Sequence, residues 1–144
     1  MSRRAGLLAA GCAGLALAGL ALAGAAQAQQ TPEVPVMVGV QPDLDACLTQ
    51  GVVSGLDASG DNFLAVRSGP GSGYGQIDAL HTDDVVAMCE TRGRWIGIVY
   101  QPGDRQVPGP SDCGVGSPIW PRQAYPGTCR SGWVFEAYVT PYAG

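Results

Sequence analysis

The sequence of 144 residues predicts an all-β domain. The clearest segment is residues 64–71, where Leu64 and Val66 share one face and Arg67 lies on the other, as in a strand with one buried face. The following Ser68-Gly-Pro-Gly71 must turn, because proline lacks a ladder donor and glycine permits positive φ. Similar short apolar segments recur between turn-rich stretches, and after the N-terminal region none keeps a 3.6-residue period over a useful length.

Residues 1–28 have the features of a secretory signal peptide. Arg3 and Arg4 begin it, an uncharged Ala- and Gly-rich run follows, and Ala26-Gln-Ala28 has the small-x-small form of a cleavage site. An uncleaved membrane anchor is the alternative, but alanine and glycine are only weakly apolar. We expect cleavage, no membrane span in the remaining chain, and a periplasmic or secreted location, with the Sec or twin-arginine route left open.

The remaining chain begins with an extended N-terminal segment, residues 29–46, whose prolines and small polar residues predict mobility. Apolar segments bounded by turn residues then predict strands at 51–56, 63–67, 76–80, 85–90, 95–100 and 130–135. Residues 101–128 form a long loop rich in proline and glycine, which is unusual unless the loop is functional or disordered. Residues 136–139 should close the domain with a turn or short strand, and Pro141 should end it.

The turn at residues 57–62 matches part of the sequence pattern of a calcium-binding loop. Asp57, Ser59 and Asp61 occupy positions 1, 3 and 5 of a calcium-loop pattern. Asn62 stands where that pattern needs glycine, however, and Ser68 stands where it needs a bidentate glutamate. We therefore predict an Asx-rich hairpin turn, with no metal.

The cysteines predict two disulfides. Cys12 leaves with the signal peptide, and an even number in an exported domain is typical of a disulfide framework. Three pairings are possible. We favour Cys113–Cys129, which would close the long loop, and Cys47–Cys89, which would tie the start of the domain to a central strand.

The charge of the exported chain excludes two classes of partner. Without residues 1–28 it has six arginines and no lysine against twelve acidic residues, a net charge of −6. Nucleic acids and anionic membrane surfaces both attract clustered lysine and arginine. We therefore expect neither as a partner.

The order of the motifs resembles that of the bacterial SH3 domain. In that family a V-R-S-G-P stretch follows the first strand, a strand-turn-Trp hairpin lies in the middle, and a G-W-V strand leads to a short helical turn and a tyrosine. The matching stretches here are Val66-Arg-Ser-Gly-Pro70, Arg94-Trp95, Gly132-Trp-Val134 and Tyr138. The resemblance implies a small five-stranded SH3-like barrel at residues 47–142, with residues 101–128 as a long disulfide-clamped insertion.

The resemblance also implies a function in binding. Bacterial SH3 domains often bind cell-wall peptides or peptidoglycan, and others are adaptors. We expect recognition of peptidoglycan or a cell-wall peptide, the alternative being a periplasmic protein–protein adaptor. Catalysis and a cofactor are not expected, because His81 is the only histidine, the cysteines are paired and no G-x-S-x-G motif is present.

The candidate binding residues lie in loops. Tyr74, Trp120 and Tyr125 are large apolar side chains in Gly- and Pro-rich stretches, and Arg122 between the last two could pair with a ligand carboxylate. An alternative is that Trp120 and Tyr125 fold back over the domain as a lid, and that Arg122 is a solvated charge. We assign the other two tryptophans, Trp95 and Trp133, and both phenylalanines to the core or to half-buried strand positions.

Overall fold

Nine β-strands and one turn of 3-10 helix follow one another in the computed structural model, which describes residues 31–101 and 113–143. The 3-10 helix is Glu136–Tyr138. The strands are β1 Met37–Val38, β2 Thr49–Val53, β3 Leu64–Arg67, β4 Gln76–Leu80, β5 Val85–Arg92, β6 Trp95–Tyr100, β7 Gln123–Ala124, β8 Arg130–Phe135 and β9 Val139–Ala143. The all-β class is therefore confirmed. The predicted signal peptide lies outside the described residues, as do residues 102–112 of the predicted insertion.

The strand boundaries agree closely with the prediction in the middle of the chain and less well at its ends. The strands at 76–80, 95–100 and 130–135 match, whereas the first of the predicted strands begins and ends earlier than expected. The prediction that Pro141 ends the domain is wrong, because Pro141 lies inside β9. An edge strand tolerates proline because one side of it has no ladder partner, and β9 pairs only with β2.

Seven of the strands form one antiparallel sheet in the order β4-β3-β8-β6-β5-β2-β9, and β1 and β7 form a separate two-stranded sheet. Within the described residues the outer strands β4 and β9 do not pair with each other, so the hydrogen-bonded sheet is open. The described residues contain nine strands, three more than the six that the sequence patterns predict, and the five-stranded barrel that the resemblance implies is not confirmed. The additional strands come from the N-terminal segment, from the long loop and from the chain after Tyr138, where local patterning is weakest.

Each face of the large sheet has its own apolar core. In β6, Ile96, Ile98 and Tyr100 lie on one face, while Trp95 and Val99 lie on the other. The first face, here called the inner face, carries the core formed by Val53, Leu64, Val66, Leu80, Val86, Ile96, Ile98, Tyr100, Val134 and Val139. The strands whose alternation predicted one buried face therefore belong to a sheet that carries an apolar core on each face.

The N-terminal segment covers part of the second, outer face. Val36 and Val38 are fully buried there against Trp133, and the Trp133 Nε1–H donates to the Val34 carbonyl oxygen at 2.7 Å. The segment is held further by the pairing of β1 with β7 and by the Tyr125 N–H bond to the Val36 oxygen at 2.9 Å. The predicted mobility is therefore wrong for residues 34–38, because the valines between the prolines supply an apolar edge that packs.

The two disulfides join Cys47 to Cys89 and Cys113 to Cys129, which confirms the favoured pairing. Both bridges belong to the core of the outer face, here called the outer core, which is formed by Val36, Val38, Ala46, Cys47, Cys89, Val99, Cys113, Val115 and Trp133, with Cys129 packed against it. They indicate an oxidising, non-cytoplasmic compartment. The described part of the chain contains no helix with the length and hydropathy that a membrane span requires.

Asp78 of β4, Tyr100 of β6 and Arg130 of β8 form a polar cluster. The Tyr100 hydroxyl and the Arg130 Nη1 both donate to Asp78 Oδ2 at 2.9 Å. Partial burial by itself would raise the pKa of Asp78, but bonds from the Ala79 N–H, Tyr100 and Arg130 outweigh it and hold that pKa below its ordinary value. Burial, followed by the bond to Asp78, raises the pKa of Tyr100 well above its ordinary value of 10.0.

This cluster predicts a loss of stability in alkali. Tyr100 ionises near pH 10 in the unfolded chain but stays protonated to higher pH in the folded protein, so its contribution is complete below pH 10 and is lost above it. Urea denaturation between pH 8 and about pH 11 should show a falling free energy of unfolding. At neutral pH the free energy of unfolding of Tyr100→Phe should be about 1 kcal/mol lower than that of the wild type, because the variant lacks the hydrogen bond to Asp78. Its further fall between pH 8 and about pH 11 should be smaller than in the wild type. An equally steep fall in the variant would contradict the assignment.

Candidate functional site

An open groove of about 570 Å³ lies beside β3 and the turn at residues 57–62. Its lining includes Trp95, which packs against the outer core, and Leu56 and Leu64, which pack in the core of the inner face. Trp95 and Phe135 form part of its lining and are direct partners in the pairing of β6 with β8. Arg67 of β3 also lines it and is paired with Trp133 of β8. The groove is thus built on β3, on the first residue of β6 and on the last residue of β8.

Phe63, Trp95, Phe135 and Tyr138 give the groove four aromatic side chains, and the last three form a series of neighbouring rings. The centroids of Trp95 and Phe135 are 5.5 Å apart with an edge-to-face angle of 66°, and Phe135 lies 6.3 Å from Tyr138. Tyr138 ends the 3-10 helix and is exposed. The Arg94 guanidinium lies 4.5 Å from the centre of the Phe135 ring and donates to Glu136 Oε1 at 2.9 Å, which restrains the ring's outer side. Such rigid aromatic surfaces bind apolar groups at a small entropic cost.

The turn at residues 57–62 forms another part of the lining and is ordered by its own side chains. Asp57 Oδ1 accepts the Ser59 hydroxyl at 2.7 Å and the Ser59 N–H at 2.9 Å. The hydroxyl bond and then the N–H bond hold the pKa of Asp57 below its ordinary value. Asn62 has a φ of 53°, the left-handed conformation that asparagine tolerates. The predicted Asx-rich turn is therefore confirmed, but it is not a hairpin turn, because the flanking strands β2 and β3 are not neighbours in the sheet.

Charged groups of both signs accompany the aromatic rings. Asp57, Asp61 and Arg67 are all lining residues of the groove. Arg67 Nη1 also donates to the Tyr74 carbonyl oxygen at 2.8 Å, so this arginine helps to hold the Ser-Gly-Pro-Gly corner. A groove with flat apolar rings, carboxylates and a guanidinium suits a short peptide that carries both ammonium and carboxylate groups.

The four sequence-predicted binding residues lie outside this lining. The Tyr74 ring packs against the backbone of Gly69 and Gly71 and is half-buried. The Tyr125 hydroxyl donates to the Cys113 carbonyl oxygen at 2.7 Å, and its ring packs against the outer core, as the lid alternative predicts.

Trp120 and Arg122 differ from each other in their surroundings. The Trp120 side chain is 54% exposed. The Arg122 Nη2 lies 3.0 Å from Glu90 Oε2, so its pairing is with a carboxylate of the same chain. Binding of a ligand by Tyr74, Trp120, Arg122 and Tyr125 stays a prediction.

Sequence reasoning missed the aromatic groove because it assigned Trp95 and Phe135 to the core. A signal was present in the alternation of β6, since Ile96 and Ile98 define the inner face and place Trp95 on the outer one. What the alternation could not show is how far the N-terminal segment extends over that outer face. Tyr138 is one of the residues on which the resemblance rests, but no ligand contact was predicted for it.

Other reactive groups are few in the described ranges 31–101 and 113–143. His81 is exposed in the turn between β4 and β5, where its backbone N–H donates to Asp84 Oδ2 at 2.7 Å. No group of three or more metal-ligating side chains occurs within those ranges. No protein-family model, curated protein or solved structure matches the chain.

Proposed function

We propose that this protein is an exported, non-catalytic binding module that recognises a cell-wall peptide or peptidoglycan through the aromatic groove. The observation that carries the proposal is the open groove lined by Trp95, Phe135 and Tyr138 together with charges of both signs. An accessible concave surface with aromatic rings and a few charged groups is typical of ligand-binding sites.

The strand connections support an SH3-like barrel as the scaffold. Strand β2 lies between β5 and β9, so the beginning and end of the domain pair with each other. Strands β5, β6 and β8 are sequential antiparallel neighbours, and β8 leads into a 3-10 turn that ends at Tyr138. This is the order of a G-W-V strand, a short helical turn and a tyrosine on which the resemblance to bacterial SH3 domains rests.

The compartment fits a cell-wall ligand. The two disulfides favour an oxidising environment, and the signal-peptide pattern of residues 1–28 favours export to the periplasm or beyond. Peptidoglycan stem peptides are short and carry both carboxylate and ammonium groups. Asp57 and Asp61 would bind the ammonium group and Arg67 the carboxylate, while the rings would contact the small apolar side chains.

Co-sedimentation of the purified protein with isolated peptidoglycan tests the proposal. Tyr138→Ala removes an exposed ring from the groove and is expected to weaken binding about tenfold, a loss of about 1.4 kcal/mol. Tyr142→Ala is the matched control, because Tyr142 is also exposed but lies in β9 outside the groove lining. It should bind like the wild type.

Two further variants separate the groove from the loop residues predicted from sequence. If Trp120→Ala or Tyr74→Ala abolishes sedimentation while Tyr138→Ala does not, the ligand binds at the loops and the groove proposal is wrong. A wild-type protein that does not sediment with peptidoglycan, yet co-purifies with a stoichiometric envelope protein, would indicate the adaptor function instead.

A further inference from the structure

Two arginines share one carboxylate on the outer face of the sheet. The Glu90 Oε2 atom lies 3.0 Å from Arg122 Nη2 and 3.4 Å from Arg92 Nη2, while its Oε1 accepts the Met37 N–H at 2.8 Å. The Glu90 side chain is only 7% exposed, whereas those of Arg92 and Arg122 are 45% and 43% exposed. One shielded negative charge therefore holds two accessible positive charges.

A β-bulge and a glycine create this arrangement. The register between β5 and β6 shifts after Met88, so that Glu90 lies opposite Gly97. A Cβ atom at Gly97 would lie 2.9 Å from Glu90 Cγ and 3.1 Å from Val36 Cγ1. The absence of a side chain at residue 97 thus leaves room for the Glu90 carboxylate beneath the N-terminal segment. Bulges commonly redirect a side chain in this way.

The surroundings restrain both guanidinium groups. The Arg92 guanidinium lies 5.1 Å from the centre of the Trp133 ring, which is itself fully buried. Arg122 immediately precedes β7, which pairs with β1. Held side chains lose less entropy when they bind a ligand than free surface arginines do.

The single carboxylate of Glu90 does not balance the two positive charges of Arg92 and Arg122. Among the described arginines, Arg94 and Arg130 each have a carboxylate to themselves, Glu136 and Asp78 respectively. Within residues 31–101 and 113–143, Arg92 and Arg122 have only Glu90 between them, which is an excess of one positive charge in that part of a strongly acidic chain. A guanidinium has five N–H donors, and the bonds to Glu90 use two on Arg92 and one on Arg122.

We propose that Arg92 and Arg122 form a binding site for an oxyanion, the carboxylate or phosphate group of a ligand. The anion would take the remaining donors and neutralise the excess charge, with Glu90 holding the two guanidinium groups in place. This site goes beyond the proposed function of the groove, since Arg92 and Arg122 do not belong to the groove lining.

A titration with small anions at low ionic strength tests the site. We expect inorganic phosphate, acetate or both to shift the Nε–H resonances of Arg92 and Arg122 in a saturable manner. A response to phosphate alone would support a phosphoryl ligand, and a response to acetate alone would support a carboxylate ligand. Arg122→Gln should weaken binding about tenfold, since it removes charge-assisted hydrogen bonds. Arg122→Lys keeps the charge but loses the planar set of N–H donors, so its affinity for the anion should lie between those of the wild type and Arg122→Gln.

Arg94→Gln is the matched control, because Arg94 is also an exposed arginine but has Glu136 to itself. It should leave anion binding unchanged. The proposal is overturned if the wild-type resonances shift only linearly with salt, or if Arg94→Gln weakens binding as much as Arg122→Gln does. Loss of peptidoglycan binding in Tyr138→Ala would not affect this result, because the small anions do not require the groove.

Discussion

Replacing Trp133 with alanine is expected to lower the free energy of unfolding by about 3–5 kcal/mol, the range for large-to-alanine changes in cores. Trp133 is fully buried and packs in the outer core with Val36 and Val38. Its Nε1–H also bonds the Val34 carbonyl oxygen. The substitution therefore removes the surface on which the N-terminal segment packs, and leaves that oxygen without its donor. Because small domains have only about 5–15 kcal/mol of stability in total, this is a large fraction.

Urea denaturation followed by far-UV circular dichroism measures the effect. Trp120→Ala is the matched control, since Trp120 is the same residue type but is largely exposed. Its free energy of unfolding should stay within about 0.5 kcal/mol of the wild type. Equal losses in the two variants would contradict the view that the outer core supports the fold.

Removing the Cys47–Cys89 disulfide should have the second large effect, about 4 kcal/mol in the chain-entropy account of cross-links. This bridge spans 42 residues, whereas Cys113–Cys129 spans 16, for which the same account gives about 3 kcal/mol. The longer loop loses more conformational freedom in the unfolded chain when it is closed. Cys47 also lies beside residues 115–117, because its N–H and that of Ala46 bond carbonyl oxygens there.

The double variants Cys47→Ala/Cys89→Ala and Cys113→Ala/Cys129→Ala, compared by urea denaturation, provide the measurement. We expect both to be destabilised and the first to be destabilised more. The reverse order would show that native packing around the shorter loop outweighs loop length. In that case the Tyr125 hydroxyl bond to the Cys113 oxygen would be the first contact to examine, with Tyr125→Phe as the variant.

The candidate site was only partly accessible to sequence reasoning. Loop aromatics attract attention because loops usually lack a core, yet Tyr125 is held by its hydroxyl bond and Tyr74 packs on glycine backbone. Conversely, Trp95 and Phe135 lie in strands and were therefore assigned to the core, although both residues line an open groove. Whether an aromatic side chain is covered depends on residues far away in the chain, which local patterns do not contain.

By itself the sequence determined the all-β class, the central strands and the Asx-rich turn, because alternation and turn chemistry act between near neighbours. It also favoured the disulfide pairing that the structure has, but left three pairings possible. Only the tertiary structure decided the outer face. Val36 and Val38 cover Trp133 from about a hundred residues away, and the bulge at Cys89 turns Glu90 towards Arg122. Burial and ion pairing of this kind arise between distant segments once the chain has closed the intervening loops, so no short stretch of sequence records them.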